Sequence, residues 1–287
     1  MKKNIVWLAS YPKSGNTWFR MFLANYLKNS VTAISLEEIE RTPISSDAVG
    51  FEEISGFNPF ELSPDEVDLY RPEMYQYLSE NEETEAGILY KKTHDAYIHN
   101  VHNIPLFPKE VTKGAVYFVR NPLDVCVSYA NHATAKIERT IQFLQNEKAE
   151  IAGKKSGQLR QIMFSWKNHI KSWQQQDQIP VHIVRYEDMK QDPINTFGSI
   201  IQFLGIVYDE ERLKRSIINS DFTLLQQMEQ EKGFKEKPQN SKGFFREGKT
   251  GNYREHLNEE QIKQLVTYHY DTMKEFGYLD AQGNLTI

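Results

Sequence analysis

Ile5-Val6-Trp7-Leu8-Ala9-Ser10-Tyr11-Pro12-Lys13-Ser14-Gly15-Asn16-Thr17-Trp18 joins a short apolar run to a helical pattern, and its reading decides the fold. The run Ile5 to Ala9 shows no alternation, which is the pattern of a strand buried on both faces. From Thr17 to Leu27 the apolar residues Trp18, Phe22, Leu23, Tyr26 and Leu27 recur at helical spacing. Between the two, Gly15 permits a tight turn, and amides at a helix start attract an anion. Lys13 adds a full positive charge, Ser14 and Thr17 add hydroxyls, and Asn16 and Trp18 complete the segment. In chemical terms this is a phosphate cradle. It departs from G-x-x-x-x-G-K-[ST], because the lysine precedes the glycine and the first glycine is absent. An ATP or GTP phosphotransferase is therefore disfavoured but stays open. For Lys13 or Ser14 taken alone, a plain surface turn is the simpler reading.

Working outward, further strands are expected at Gly87 to Lys91, Ala115 to Val119 and Val181 to Val184. Helices are expected at about 122–136, 159–175, 193–204, 209–219, 222–230 and 258–276. Strands alternating with helices indicate an α/β fold with a central, mainly parallel sheet, here as a single domain over 1–287. In such sheets ligands sit beyond the carboxyl ends of the strands, which singles out 10–18, 91–95, 120–128 and 185–188. Residues 35–85 read as short helices and loops ending in the acidic run Glu80 to Glu85. Residues 137–157 are charged and end in Gly153 to Gly157, expected to be a mobile crossing, and Glu231 to Gly243 reads as a flexible loop.

Four segments follow the cradle in order. Tyr90-Lys91-Lys92-Thr93-His94 puts a histidine at a strand end, well placed for general-base work. In Val119-Arg120-Asn121-Pro122-Leu123-Asp124-Val125-Cys126-Val127-Ser128-Tyr129, Arg120 and Ser128 can point at one spot. Guanidinium plus hydroxyl suits a terminal phosphate. Asp124 reads as a cap or pair near the helix start. In Val184-Arg185-Tyr186-Glu187-Asp188-Met189, Tyr186 is either a ligand contact or a core aromatic, and Glu187 and Asp188 read as caps of the next helix. The last is Phe244-Phe245-Arg246-Glu247-Gly248-Lys249-Thr250-Gly251-Asn252-Tyr253, a basic stretch containing glycine. His182 reads as packing, His132 as cleft-lining or structural.

Tyr-Pro-Lys-Ser-Gly-x-Thr-Trp, followed by these motifs in this order, resembles the cytosolic-type sulfotransferases, and the chain start is closer to bacterial members than to animal ones. The resemblance implies a P-loop-like nucleotide-binding fold. It implies 3′-phosphoadenosine 5′-phosphosulfate (PAPS) as sulfonate donor and 3′,5′-adenosine bisphosphate (PAP) as product. It makes His94 the catalytic base, with Lys13 and Lys92 supporting the transfer. Lys13, Ser14, Gly15, Asn16, Thr17 and Trp18 would hold the 5′-phosphosulfate end. Arg120, Ser128, Arg246, Glu247 and Gly248 map to the 3′-phosphate site, and Tyr186, Ser220 and Phe222 to the base, with Trp18 and Phe222 as a sandwich. Glu247 stands where the family has lysine, which weakens the anion site; Lys249 could compensate. Tyr253 replaces a tryptophan. The family's dimerisation segment is not reproduced near Arg254 to Lys263, so the oligomeric state is open. The lid over the acceptor is expected in 35–85 and 137–157. The acceptor is expected to be a small molecule or natural product, bearing a hydroxyl or an amine. A nucleoside-triphosphate phosphotransferase and a non-catalytic nucleotide-binding protein remain as competing readings.

Composition bounds these expectations. The chain has 287 residues, 39% hydrophobic, with a formal charge of −5 that disfavours a nucleic-acid surface. No stretch approaches ~20 apolar residues, so no membrane span is expected. The single cysteine, Cys126, fits a reducing compartment, and a cytoplasmic protein is expected. No His/Cys/Asp cluster has metal-ligand spacing, so no metal is expected.

Overall fold

The computed structural model describes residues 2–84, 87–153, 157–237 and 243–287. Its elements run β1 (Ile5–Ser10), α1 (Asn16–Lys28), α2 (Ala48–Ser55), α3 (Pro64–Asn81), β2 (Leu89–Thr93), β3 (Thr112–Val119), α4 (Pro122–His132) and α5 (Ile137–Gln145). Then follow β4 (Glu150–Gly153), β5 (Gln158–Ile162), α6 (Trp166–Gln175), β6 (Val181–Arg185), α7 (Tyr186–Gln191), α8 (Pro193–Phe203), α9 (Glu210–Ile218), α10 (Phe222–Lys232) and α11 (Glu259–Glu275). The fold is α/β, with a central parallel sheet of order β2-β1-β3-β6 flanked by helices. β1 pairs in parallel with β2, Ile5 opposite Leu89 and Ala9 opposite Thr93. The four strands expected from the sequence are present, β2 starting two residues later than read.

Contacts divide the described chain into two compact units, each assembled from three segments. The first comprises Met1–Tyr11, Thr42–Tyr117 and Glu147–Ile183. Every residue of β1 is buried. Trp7 anchors this core: its indole N–H donates to Thr112 Oγ1 at 2.9 Å, and Tyr75 and Phe107 meet its ring edge-on at 4.8 and 4.9 Å.

The reading of 35–85 as short helices is corrected by α3, which runs for 18 residues. Ser63 and Glu66 form a reciprocal capping box and Pro64 opens the first turn, so the helix is well nucleated despite the internal Pro72. Its inward face was hard to read because Asp68 and Arg71 interrupt the apolar stripe of Val67, Met74 and Tyr75. Arg71 is fully buried, with Nη2 2.6 Å from Asp95 Oδ2 and Nη1 3.2 Å from Asp68 Oδ1. It also donates to Tyr75 Oη and the Arg160 carbonyl. Burial opposes this charge, but Asp95, Tyr75 and Asp68 outweigh it and keep the guanidinium protonated well above its ordinary range.

A second correction concerns the helix read over 159–175. Residues 158–162 are strand β5, paired antiparallel with β4, and Leu159 and Gln161 point inward in alternation. Leu159 N–H donates to the Ser46 carbonyl and Met163 N–H to that of Ala149. The helix α6 begins only at Trp166, capped by Ser165. The expected crossing at Gly153 to Gly157 has residues 154–156 outside the described residues, as are Glu85 of the acidic run and 238–242 of the expected loop.

The second unit comprises Pro12–Arg41, Phe118–Asn146 and Val184–Ile287. α1 buries Phe19, Phe22 and Tyr26, and Phe22 stacks on Phe197 at 4.2 Å. Its last carbonyls would be left without partners by the helix itself. Arg212 donates to those of Tyr26 and Leu27, and Tyr26 Oη donates to the Val207 carbonyl. The helix read as 122–136 stops at His132, and α5 forms separately. Cys126 is buried on α4, its thiol pushed up to about 12 by burial, in keeping with a packing residue.

Replacing Arg71 by Met, which leaves Asp95 buried without its main partner, should cost about 3–5 kcal/mol. The double variant Arg71→Met/Asp95→Leu should recover most of that loss. Urea denaturation of both variants checks this, and equal losses would show that the pair is not what holds α3 in place.

Candidate active site

The cradle lies at the start of the second unit. Lys13 (φ 70°) and Gly15 (φ 98°) are both left-handed, which turns the chain sharply into α1. At Gly15 a Cβ would stand 2.6 Å from the Tyr186 ring, so the glycine is required twice over. No side chain caps α1 and its first turn holds no acidic residue. A first turn without a side-chain cap can take an anion as acceptor. Ser14 Oγ is buried and has no hydrogen-bond partner among the described residues. The Lys13 ammonium lies 4.1 Å from the centroid of Phe244. Positive charge, a buried hydroxyl and a helix start without a side-chain cap together suit a phosphate oxyanion.

Arg120, at the end of β3, ties this loop to the basic stretch read near the C-terminus. Its Nη1 donates to the Lys13 carbonyl (3.1 Å) and its Nη2 to the Lys249 carbonyl (2.9 Å), with the guanidinium 4.3 Å from the Tyr186 centroid. Tyr186 Oη donates to the Gly248 carbonyl at 3.1 Å. Gly248 is left-handed, and a Cβ there would lie 2.5 Å from Phe222. Arg246 pairs with the adjacent Glu247, Nη1 to Oε1 at 3.1 Å. Ser128 is half-buried on α4, and no side-chain hydrogen bond joins it to Arg120.

Of the two aromatics read as a pair, Trp18 bonds the main chain of Ser220, two residues before Phe222. Trp18 Nε1 donates to the Ser220 carbonyl at 2.9 Å, while the Ser220 hydroxyl turns back to Ser216. Trp18 also meets Tyr186 edge-on at 5.9 Å. The Lys190 ammonium lies 5.3 Å from the Trp18 centroid and 6.0 Å from that of Phe222, so one cation faces both rings.

Glu187, read as a helix cap, and Asp124, read as a cap or pair and 4.0 Å from Arg120, also bond distant groups. Glu187 accepts from Asn121 N–H (3.0 Å) and Tyr278 Oη (2.9 Å), and burial pushes its carboxyl up. α8 is instead capped by Asp192. Asp124 accepts from the amides of Gly251 and Tyr253, pinning the end of the basic stretch to α4. Glu229, absent from the sequence reading, accepts from the amides of Phe244 and Phe245 and fixes the other end. An isolated carboxylate on an amphipathic helix carries no signal of such a role.

In the first unit, His94 follows β2 directly. Its Nδ1 lies 2.8 Å from the Ser10 carbonyl, which can only accept, so Nδ1 carries the hydrogen and the neutral ring has its lone pair on Nε2. The His94 carbonyl accepts from His169 Nε2 at 3.0 Å, and Tyr117 Oη donates to His169 Nδ1 at 2.7 Å. His169 is fully buried and held down to about 4 by burial. The residue after His94 is tied as firmly, since Asp95 bonds Arg71 and Ile162 N–H through its carboxylate, and Trp173 Nε1 through its carbonyl. Lys92 is half-buried, and its main chain pairs with Pro43 and Ser45. Nothing in the residues around His169, in a helix of mixed polarity, singles it out.

A sulfotransferase domain model matches residues 3–277. The chain belongs to the sulfotransferase family. Luciferin sulfotransferase of Photinus pyralis is 28% identical over 89% of this chain and 68% of its own length. Sulfotransferase 1B1 of Mus musculus is 26% identical over 77% of this chain and 64% of its own length. The chain thus spans about two thirds of these relatives. A crystal structure of retinol dehydratase in complex with androsterone and PAP superposes with a TM-score of 0.63 at 18% identity, covering 98% of this chain and 84% of that one. At that identity the likeness shows the sulfotransferase fold. Among the described residues no helix is long and apolar enough to cross a membrane, and no cluster of metal-ligating side chains occurs.

In this sulfotransferase, the unfolded chain binds a proton at His169 near pH 6.5, whereas the folded state resists it down to about 4. Stability should therefore fall as pH drops through that window, by about 2 kcal/mol between pH 7 and 5. His169→Gln should remove that share of the pH dependence. Urea midpoints of both proteins at the two pH values test this; an unchanged slope would mean that His169 titrates normally.

Proposed function

We propose that this chain transfers the sulfonate of PAPS in line to a hydroxyl, or an amine, of a small-molecule acceptor, with His94 as general base. Family membership makes the chain a PAPS-dependent sulfotransferase. The residue roles and the acceptor go further. The observation that carries them is the Nδ1 bond of His94 to the Ser10 carbonyl, which commits Nε2 to proton acceptance.

PAPS, when bound, supplies an activated sulfonate on its 5′-phosphate. Lys13, Ser14, Gly15, Asn16 and Thr17 hold that phosphate by charge, hydroxyls and the leading amides of α1, and Lys13 stabilises charge growing there. Trp18, Tyr186, Ser220 and Phe222 hold the base, and Arg120, Ser128, Arg246 and Gly248 hold the 3′-phosphate. These groups orient the nucleotide and take no part in proton movement. Lys92 steadies the sulfonate or the acceptor oxygen. His94 Nε2 takes the acceptor proton, and His169 and Asp95 keep the segment carrying it in place.

Retinol and androsterone occupy structures of a related fold. We propose an acceptor of that small-molecule scale, with α2 and α3 on its side. Two Arabidopsis thaliana relatives are named cytosolic sulfotransferases, and we propose the same compartment.

His94→Ala should lower PAPS-dependent turnover by roughly 10²–10⁴-fold while PAP affinity stays within about twofold of the parent. A mass-shift assay on an acceptor library and calorimetry with PAP read the two quantities. Near-normal turnover would remove His94 from the mechanism. Tighter binding of ATP than of PAP would favour a phosphotransferase instead.

A further inference from the structure

We infer that Glu247 is a built-in competitor for the nucleotide's 3′-phosphate, and that Arg246 is exchanged from Glu247 to the phosphate when the nucleotide binds. This rests on the reading of Arg246 as a 3′-phosphate ligand.

The inference begins from how the cations on this side of the second unit are engaged. Arg120 spends Nη1 and Nη2 on the carbonyls of Lys13 and Lys249, and lies on the face of Tyr186. Its nearest acid, Asp124, is 4.0 Å away and is itself held by two amides of the following segment. Arg120 is thus fixed chiefly by neutral carbonyls, and its one long ion pair, to an Asp124 already held by amides, need not break for it to face a phosphate. Arg246 differs. Its guanidinium is paired with Glu247 at 3.1 Å, both side chains are about a third exposed, and only its carbonyl is fastened, by Gln226 Nε2 at 2.7 Å. A pair that is exposed and adjacent in sequence is weakly held, so a phosphate dianion can displace it. Glu247 nevertheless remains one residue away, where it opposes the incoming charge.

Main-chain geometry brings this pair to the nucleotide side. Tyr186 Oη holds the Gly248 carbonyl, Arg120 holds that of Lys249, and Gly248 packs on Phe222 too closely to admit a Cβ. Residues 246–249 are therefore fixed beside Arg120, and the freedom that remains is in the Arg246 side chain. The chemical consequence is a selective weakening. Ligands with a terminal 3′-phosphate meet the competing carboxylate, whereas ligands lacking it do not. The product PAP carries that phosphate, so Glu247 favours its release.

The test is calorimetry of the whole chain with PAP and with adenosine 5′-monophosphate (AMP). The parent should prefer PAP. Glu247→Gln, which removes the charge and keeps the shape, should tighten PAP by roughly 3- to 10-fold and leave AMP within twofold. In an Arg246→Ala background the same change should give a smaller gain, because the exchange has been removed. Thermal melts of each variant confirm folding. No gain in PAP affinity, an equal gain for AMP, or an undiminished gain without Arg246 would each overturn the exchange. A parent chain that binds PAP and AMP alike would overturn the 3′-phosphate site itself, and the proposal with it.

Discussion

The second unit depends on one guanidinium. Arg120 stands at the end of a buried strand and bonds two carbonyls more than a hundred residues apart in the chain, those of Lys13 and Lys249. Two left-handed residues make the first loop turn, but a turn alone does not set where its amides face. A planar, permanently charged fork can hold two carbonyls at once, and lysine has no such geometry. Tyr186 closes the arrangement from the other side, bearing the guanidinium on its face and the Gly248 carbonyl on its hydroxyl. The glycines at 15 and 248 follow from this, since each leaves room for a ring that the arrangement requires.

The first unit fixes its own chemistry by different means. The segment Thr93 to Ala96 is held at nearly every polar atom, by Arg71, Ile162, Trp173 and His169. Buried charge is an expensive way to hold a loop, because both ions must be taken out of water. The arrangement is nevertheless well satisfied: the Arg71 guanidinium reaches two carboxylates, a phenol and a carbonyl. Such a network defines one geometry sharply and tolerates few others.

Much of this was legible in the sequence, and the reason is local. The first strand, the glycine turn and the first helix are written in consecutive residues, as are the motifs at 90–94, 119–129 and 184–189. Wherever a role depends on a partner distant in sequence, the reading faltered. Glu187 reads as a cap and Asp124 as a cap or pair because carboxylates near helix starts commonly are, yet both also serve amides more than sixty residues away. His169, Arg71 and Glu229 gave no signal, since a buried polar residue on a helix reads as a break in the apolar stripe. The β4–β5 hairpin was missed because Leu159 and Gln161 are too short an alternation to stand out against the helical spacing that follows from Trp166.

The segmental make-up of the two units also bears on how the molecule forms during synthesis. The first unit contains all its segments once Ile183 has been made, so its core around Trp7 can close while the ribosome is still at work. The second begins at Pro12 and takes its third segment from Val184 onward, so it closes later. Its first loop, at Lys13 to Gly15, is therefore made early, whereas Lys249, to which Arg120 ties it, is made much later. Until then the left-handed turn at Lys13 and the uncapped start of α1 have only local interactions to hold them. The loop at Lys13 is in this sense tied down late, whereas the segment Thr93 to Ala96 can be tied down well before it.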